Sequence, residues 1–165
     1  MKICLLTYLS PFYGEGGTQI RIRSIAQWLA SHGHSVHIVS CRYGKVNART
    51  SLSKSISLHY VNNRCCRTKY LGAFFSVNIL KNLRQDIDVI DSSTLSLYPL
   101  LRTSSIPYVC TTGSWSRYLT DLLKAKDFFS ILYDLPSLLI ARKMYSASKR
   151  VVAIGEKVAH ELITC

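Results

Sequence analysis

Acidic residues are nearly missing from the first half of this chain. Glu15 is the only one before Asp86, against twelve Lys or Arg within residues 1–85. The second half holds nine basic and eight acidic residues, so the net charge of +12 belongs to the first half. Such a field draws anionic partners: nucleic acid, an acidic membrane surface or a phosphorylated substrate. A solvated basic surface with no single partner accounts for the charge equally well. No DNA- or RNA-recognition motif accompanies it, which makes nucleic acid the weakest of these readings.

Other absences narrow the chemistry. The six cysteines form no CxxC pair and no Cys/His set at zinc spacing, so neither a disulfide framework nor a metal site is expected. Cys4, Cys41 and Cys110 fall in or beside apolar runs, where a thiol acts as a small buried hydrophobe, and this usage fits a reducing cytoplasm. Apolar runs never reach the roughly 20 residues of a membrane span. The richest, residues 128–141, is cut by Asp134 and Pro136. Met1-Lys2 leads straight into a strand-like run without signal-peptide anatomy, so the expected location is cytoplasmic, with peripheral membrane attachment compatible. A GK[ST] segment is missing, which argues against direct nucleoside triphosphate hydrolysis. His32, His34, His37, His59 and His160 show no pairing with Ser or Cys that suggests a triad.

What is present is an α/β pattern. An apolar run from Ile3 to Leu9 reads as a buried strand that breaks at Ser10-Pro11 and enters the loop Gly14-Glu15-Gly16-Gly17. A helix is expected over about 18–31, with Ile22, Ile25, Ala26 and Leu29 at the i, i+3, i+4, i+7 spacing of a core-facing stripe. Gly33 is its stop, with His32 and His34 flanking the turn at the surface. Further strands are expected at 35–40, 57–61, 87–90, 108–111 and 151–154, and further helices at about 71–85, 95–101, 117–125, 131–145 and 156–163. Strands alternating with helices at this spacing imply a Rossmann-like, doubly wound, mostly parallel sheet in a single domain spanning 1–165.

In an open parallel sheet, ligands gather beyond the carboxyl ends of strands. Three such ends stand out. Ser10–Gly17 can bring backbone N–H groups to a phosphate at a helix N-terminus, or its glycines simply shape a tight turn. The full GxGxxG spacing of a dinucleotide site is absent. Asp91, in Asp91-Ser92-Ser93, is the one carboxylate at an expected strand end. It would accept a hydroxyl proton or bond a sugar, or else cap the next helix. Asp91 and Thr112 are the candidates for catalytic groups. Asp91, Ser93, Thr112, Gly113, Ser114 and Trp115 are candidates for holding a sugar acceptor, with hydroxyls to hydrogen-bond and an indole to stack; packing of Trp115 in the core is the alternative. Arg64, Arg67, Lys69, Lys81 and Arg84 mix with Tyr70, Phe74 and Phe75, a composition that suits a membrane interface or a nucleic-acid surface, while core packing of the aromatics explains the same pattern.

Taken in order, the opening strand, Pro11, Gly16-Gly17, the helix and SHGHSVHIVS (31–40) resemble the N-terminal domain of family 4 glycosyltransferases of the GT-B fold. DVIDSST (88–94), IPYVCTTGSW (106–115) and SKRVVAIGEKVAHEL (148–162) continue the resemblance along essentially the whole chain. In such enzymes two Rossmann-like domains face each other across a cleft. The resemblance implies an acceptor-binding half, with Gly16, Gly17 and Thr18 as the loop approaching the donor diphosphate. It implies a nucleotide-sugar donor, no metal, and an acceptor that the basic half would meet as a lipid phosphate or at an anionic membrane surface. Two departures are visible. Family members commonly carry a histidine where Gly113 stands after Thr112. The donor-domain Glu-x7-Glu motif is absent before the last residue, Cys165. The chain is therefore expected to bind no donor by itself and to need a donor-binding domain, such as a separate partner chain, for sugar transfer. A non-enzymatic sugar- or phospholipid-binding remnant of the fold is the alternative.

Overall fold

The run from Ile3 is continuous rather than alternating, and residues 3–7 are buried on both faces of the sheet, which explains why. The structure, a computed structural model, describes residues 1–12, 16–41, 53–61, 82–83, 86–92, 106–112, 145–153, 156 and 160, with the backbone alone at 8, 9, 41, 61 and 112. Among the described residues six strands form one sheet: β1 (Lys2–Leu9), β2 (Ser35–Cys41), β3 (Ile56–Val61), β4 (Val89–Ser92), β5 (Tyr108–Thr112) and β6 (Arg150–Ala153). Their order is β3-β2-β1-β4-β5-β6, and every pairing is parallel. This is the Rossmann-like α/β sheet the sequence pattern implies.

Helix α1 (Gly17–Ser31) crosses from β1 to β2. Parallel register places Ile3, Val36 and Ile56 side by side, and likewise Leu5, Ile38 and Leu58. Ile22 and Ala26 of α1 pack on this face, with Ile25 and Leu29 beside them, which is the stripe read from the spacing. Each large side chain so buried contributes about 1.5–3 kcal/mol. On the opposite face Cys4, Leu6, Val39, Ile90 and Cys110 are buried too. The Cys4 and Cys110 thiols are pushed up to about 12 by burial, Asp91 adding a smaller push on Cys110, so they act as packing groups and not as nucleophiles.

The fourth strand departs from expectation. A strand over 87–90 with Asp91 beyond its end is corrected to Val89–Ser92, with Asp91 inside the ladder opposite Leu5 and Val109. Just before it, the start of β1 is tied to this segment: the Lys2 N–H donates to Asp88 Oδ2 at 2.7 Å, and the Asp88 N–H donates to the Lys2 carbonyl at 2.9 Å. The helices expected over 95–101 and 117–125 lie outside the described residues. So do most of those expected over 71–85, 131–145 and 156–163; residues 82, 83, 145, 156 and 160 are helical.

Candidate functional site

Strand order reverses between β1 and β4, because the chain runs outward from β1 through β2 to β3 and then returns to the other side of β1. The crevice beyond the carboxyl ends of these two strands is the ligand position of an open α/β sheet. Chain direction at the exit of β1 is set by Ser10 and Pro11, both buried. Ser10 Oγ accepts the Phe12 N–H at 3.3 Å, a short turn that takes the backbone off the sheet.

Gly16 is the N-cap of α1, in extended conformation, and its carbonyl accepts the Ile20 N–H at 3.0 Å. No side chain caps this helix start and its first turn holds no acidic residue. Three backbone N–H groups of the first turn thus point outward under the positive end of the helix dipole, an arrangement that receives an anion.

The two glycines have different reasons. A Cβ at Gly16 would run into the Gln19 side-chain oxygen, because the buried Gln19 folds back over the loop. At Gly17 a Cβ would meet nothing within 4 Å among the described residues, and its φ is not in the left-handed region. At Gly16 a Cβ would require the Gln19 side chain to shift, whereas at Gly17 the described residues put nothing in its way. Open space above a helix start without Cβ is room for a ligand to come close. Thr18 is exposed beside it.

Asp91 lies on the α1 face of the sheet, mostly buried. Thr111 Oγ1 donates to its Oδ1 at 2.9 Å. Burial pushes the carboxyl above the usual carboxylate range, opposed by the Thr111 hydrogen bond and by the nearby charge of Arg21. The structure thus brings Asp91 to Thr111, a partner that sequence spacing did not single out. Parallel register is the signal: Asp91 pairs with Val109, so Thr111 lies two residues along the same face. Thr112 ends β5. Ser93, Gly113, Ser114 and Trp115 lie outside the described residues, as do Arg64, Arg67, Lys69, Lys81 and Arg84.

Three buried polar atoms have no hydrogen-bond partner among the described residues: Arg21 Nη2, Ser40 Oγ and Tyr60 Oη. Ser40 and Tyr60 are register partners near the carboxyl ends of β2 and β3. A histidine pair also emerges that the sequence reading did not contain. His37 Nδ1 and His59 Nε2 are 3.1 Å apart on the face opposite α1, their rings stacked with centroids 5.4 Å apart. Burial holds His59 below the usual imidazole range, and the neighbouring His37 adds to this. Among the described residues no group of three or more His, Cys, Asp or Glu could hold a metal ion, and no helix is long and apolar enough to cross a membrane.

The model of the family described as Glycosyltransferase Family 4 matches residues 15–165. A comparison with curated sequences finds no match. Among solved structures, sucrose-phosphate synthase from Thermosynechococcus elongatus superposes with a TM-score of 0.70 at 13% identity, over 91% of this chain and 41% of that one. Phytolacca americana UGT2, complexed with UDP-2fluoro-glucose and pterostilbene, gives 0.67 at 15% identity, over 99% of this chain and 50% of that one. The apo form of the lipopolysaccharide outer core galactosyltransferase WaaB gives 0.57 at 12% identity, over 99% of this chain and 42% of that one. The chain therefore spans half or less of the length of these structures. At such identities the likeness speaks for the fold.

Proposed function

Because the chain belongs to glycosyltransferase family 4, we propose that it is the acceptor-binding half of an enzyme that transfers a sugar from a nucleotide-sugar donor. The α1 N-terminus is then one wall of a cleft. A donor-binding domain, in the same polypeptide or in a partner chain, forms the other wall and holds the nucleotide. The sugar acceptor lies against the carboxyl ends of β4 and β5, where Asp91 and Thr112 stand and the segments with Ser93 and Gly113–Trp115 begin. The basic first half favours an acceptor carrying phosphate, presented free or at an anionic membrane surface.

One observation carries this reading. The start of α1 has no side-chain cap and no acid in its first turn, and among the described residues it is open above Gly17, at the point where strand order reverses. A diphosphate seated there meets N–H groups and a dipole that need no rearrangement as charge develops on the leaving phosphate. The chain supplies half of that environment, so turnover requires the second half.

The test is reconstitution. The chain is mixed with the product of a neighbouring reading frame that carries a Glu-x7-Glu segment, and nucleotide release is followed. Turnover is expected only in the mixture, and Gly17→Val should lower it on the order of ten- to a hundredfold by blocking the approach to the helix start. No complex and no turnover would sink the split-enzyme arrangement. Turnover indifferent to Gly17→Val would sink the phosphate loop.

A further inference from the structure

Arg21 is the fifth residue of α1. At 1.5 Å per residue its Cα stands about 6 Å behind that of Gly17. Helical side chains lean toward the N-terminus, and an arginine is long enough to span that distance. Its Nη2 is buried and has no hydrogen-bond partner among the described residues. A buried guanidinium N–H without a partner is costly, and native proteins keep such groups where something else satisfies them.

Asp91 does not do so in this structure. Its Oδ1 is taken by Thr111. Among the described residues the only contact ion pair is Lys2–Asp86. Asp91 and Arg21 therefore attract across a gap rather than through a hydrogen bond. Asp91 pairs in register with Leu5, on the β1/β4 boundary, so the charge of Arg21 is felt beside the switch point. There the planar fork of a guanidinium matches the oxygens of a phosphate.

We propose that Arg21 is an anion contact of the β1/β4 site, its buried Nη2 N–H kept for a phosphoryl oxygen that arrives at the start of α1. The inference rests on the glycosyltransferase reading for the identity of that anion, a donor diphosphate. Asp91 is a positioning residue in this arrangement: it orients Arg21 without neutralising it.

The experiment is calorimetric titration of the full chain with inorganic pyrophosphate, with thermal melting of each variant beside it. Arg21→Gln should bind roughly tenfold more weakly than the parent. Arg21→Lys should fall between, since it restores charge without the fork. If Arg21 served only to balance Asp91, Arg21→Gln would lower Tm, the double variant Arg21→Gln/Asp91→Asn would restore it, and pyrophosphate affinity would stay at the parent level; that result overturns the proposal. Should Arg21→Gln fail to fold, parent-like affinity in Arg21→Lys overturns it equally. Gly17→Val separates the two ideas. Weakening in Gly17→Val with none in Arg21→Gln removes Arg21 and keeps the loop, whereas the reverse removes the loop and keeps Arg21. A parent chain that does not bind pyrophosphate at millimolar concentration overturns both.

Discussion

The two ends of α1 are finished in opposite ways. At the C-terminus the carbonyls of Trp28, Leu29 and Ala30 accept N–H groups from His32, Gly33 and His34 at 3.1–3.2 Å. Ser31 Oγ adds a second hydrogen bond to the Trp28 carbonyl at 2.7 Å, and His32 Nδ1 lies 2.8 Å from the same oxygen. Gly33, at φ 79°, turns the chain back toward β2. At the N-terminus there is neither a capping side chain nor an acid. A helix needs both ends satisfied to be most stable. One end is closed from within and the other is left open, so the helix start is stabilised less by the chain's own side chains than the helix end is.

Substitution can break the contrast from either side. The largest effect is expected at the closed end. Gly33→Ala puts a Cβ into the left-handed region, where it meets no neighbouring atom, so the cost is backbone strain alone, about 1–2 kcal/mol by denaturant unfolding. An unchanged midpoint would mean that the turn can be remade without its glycine. The open end should respond with the other sign. Gly17→Ala adds a Cβ into free space at a helix start and should stabilise the chain by about 0.5–1 kcal/mol. The same variant should bind pyrophosphate less well than the parent. Gain of stability together with loss of affinity is the signature of a position kept for a ligand. Destabilisation would show that Gly17 is held by the fold.

Much of this architecture was legible in the residues. The Ile22, Ala26, Ile25, Leu29 stripe, the stop at Gly33 and the mostly parallel sheet implied by alternating elements all follow from local periodicity and turn chemistry. What was not legible depends on register. Nothing in the spacing of Asp91 and Thr111 announces that β4 and β5 are in parallel register two residues apart. The Lys2–Asp88 hydrogen bonds, just before the strand that takes in Asp91, join residues far apart in sequence. Gly16 and Gly17 read alike in sequence, and only the path of the Gln19 side chain tells them apart. The Ser40, Tyr60 and Arg21 atoms without partners are likewise invisible to pattern, because burial of a single atom is a property of packing.

The histidine pair extends the comparison to the other face of the sheet, at the edge strand β3, and carries the smallest expected effect. A 3.1 Å contact between two ring nitrogens can hold one proton, donated by one ring and accepted by the other, and has no place for a second. His59 is held below the ordinary imidazole value, by burial first and by His37 second. Its unfolded form therefore takes up a proton before its folded form does. Below the ordinary value of 6.5 the unfolded chain binds more protons, so stability is lost as pH falls through and below that point and is fully present above it. Thermal melting from pH 7.5 down to pH 5 should show a falling Tm in the parent chain and a flatter profile in His59→Gln. Gly33→Ala should keep the parent slope at a lower Tm, since the turn and the pair lie on different elements. A His59→Gln profile as steep as the parent's would move the acid sensitivity elsewhere and leave the pair as a plain hydrogen bond.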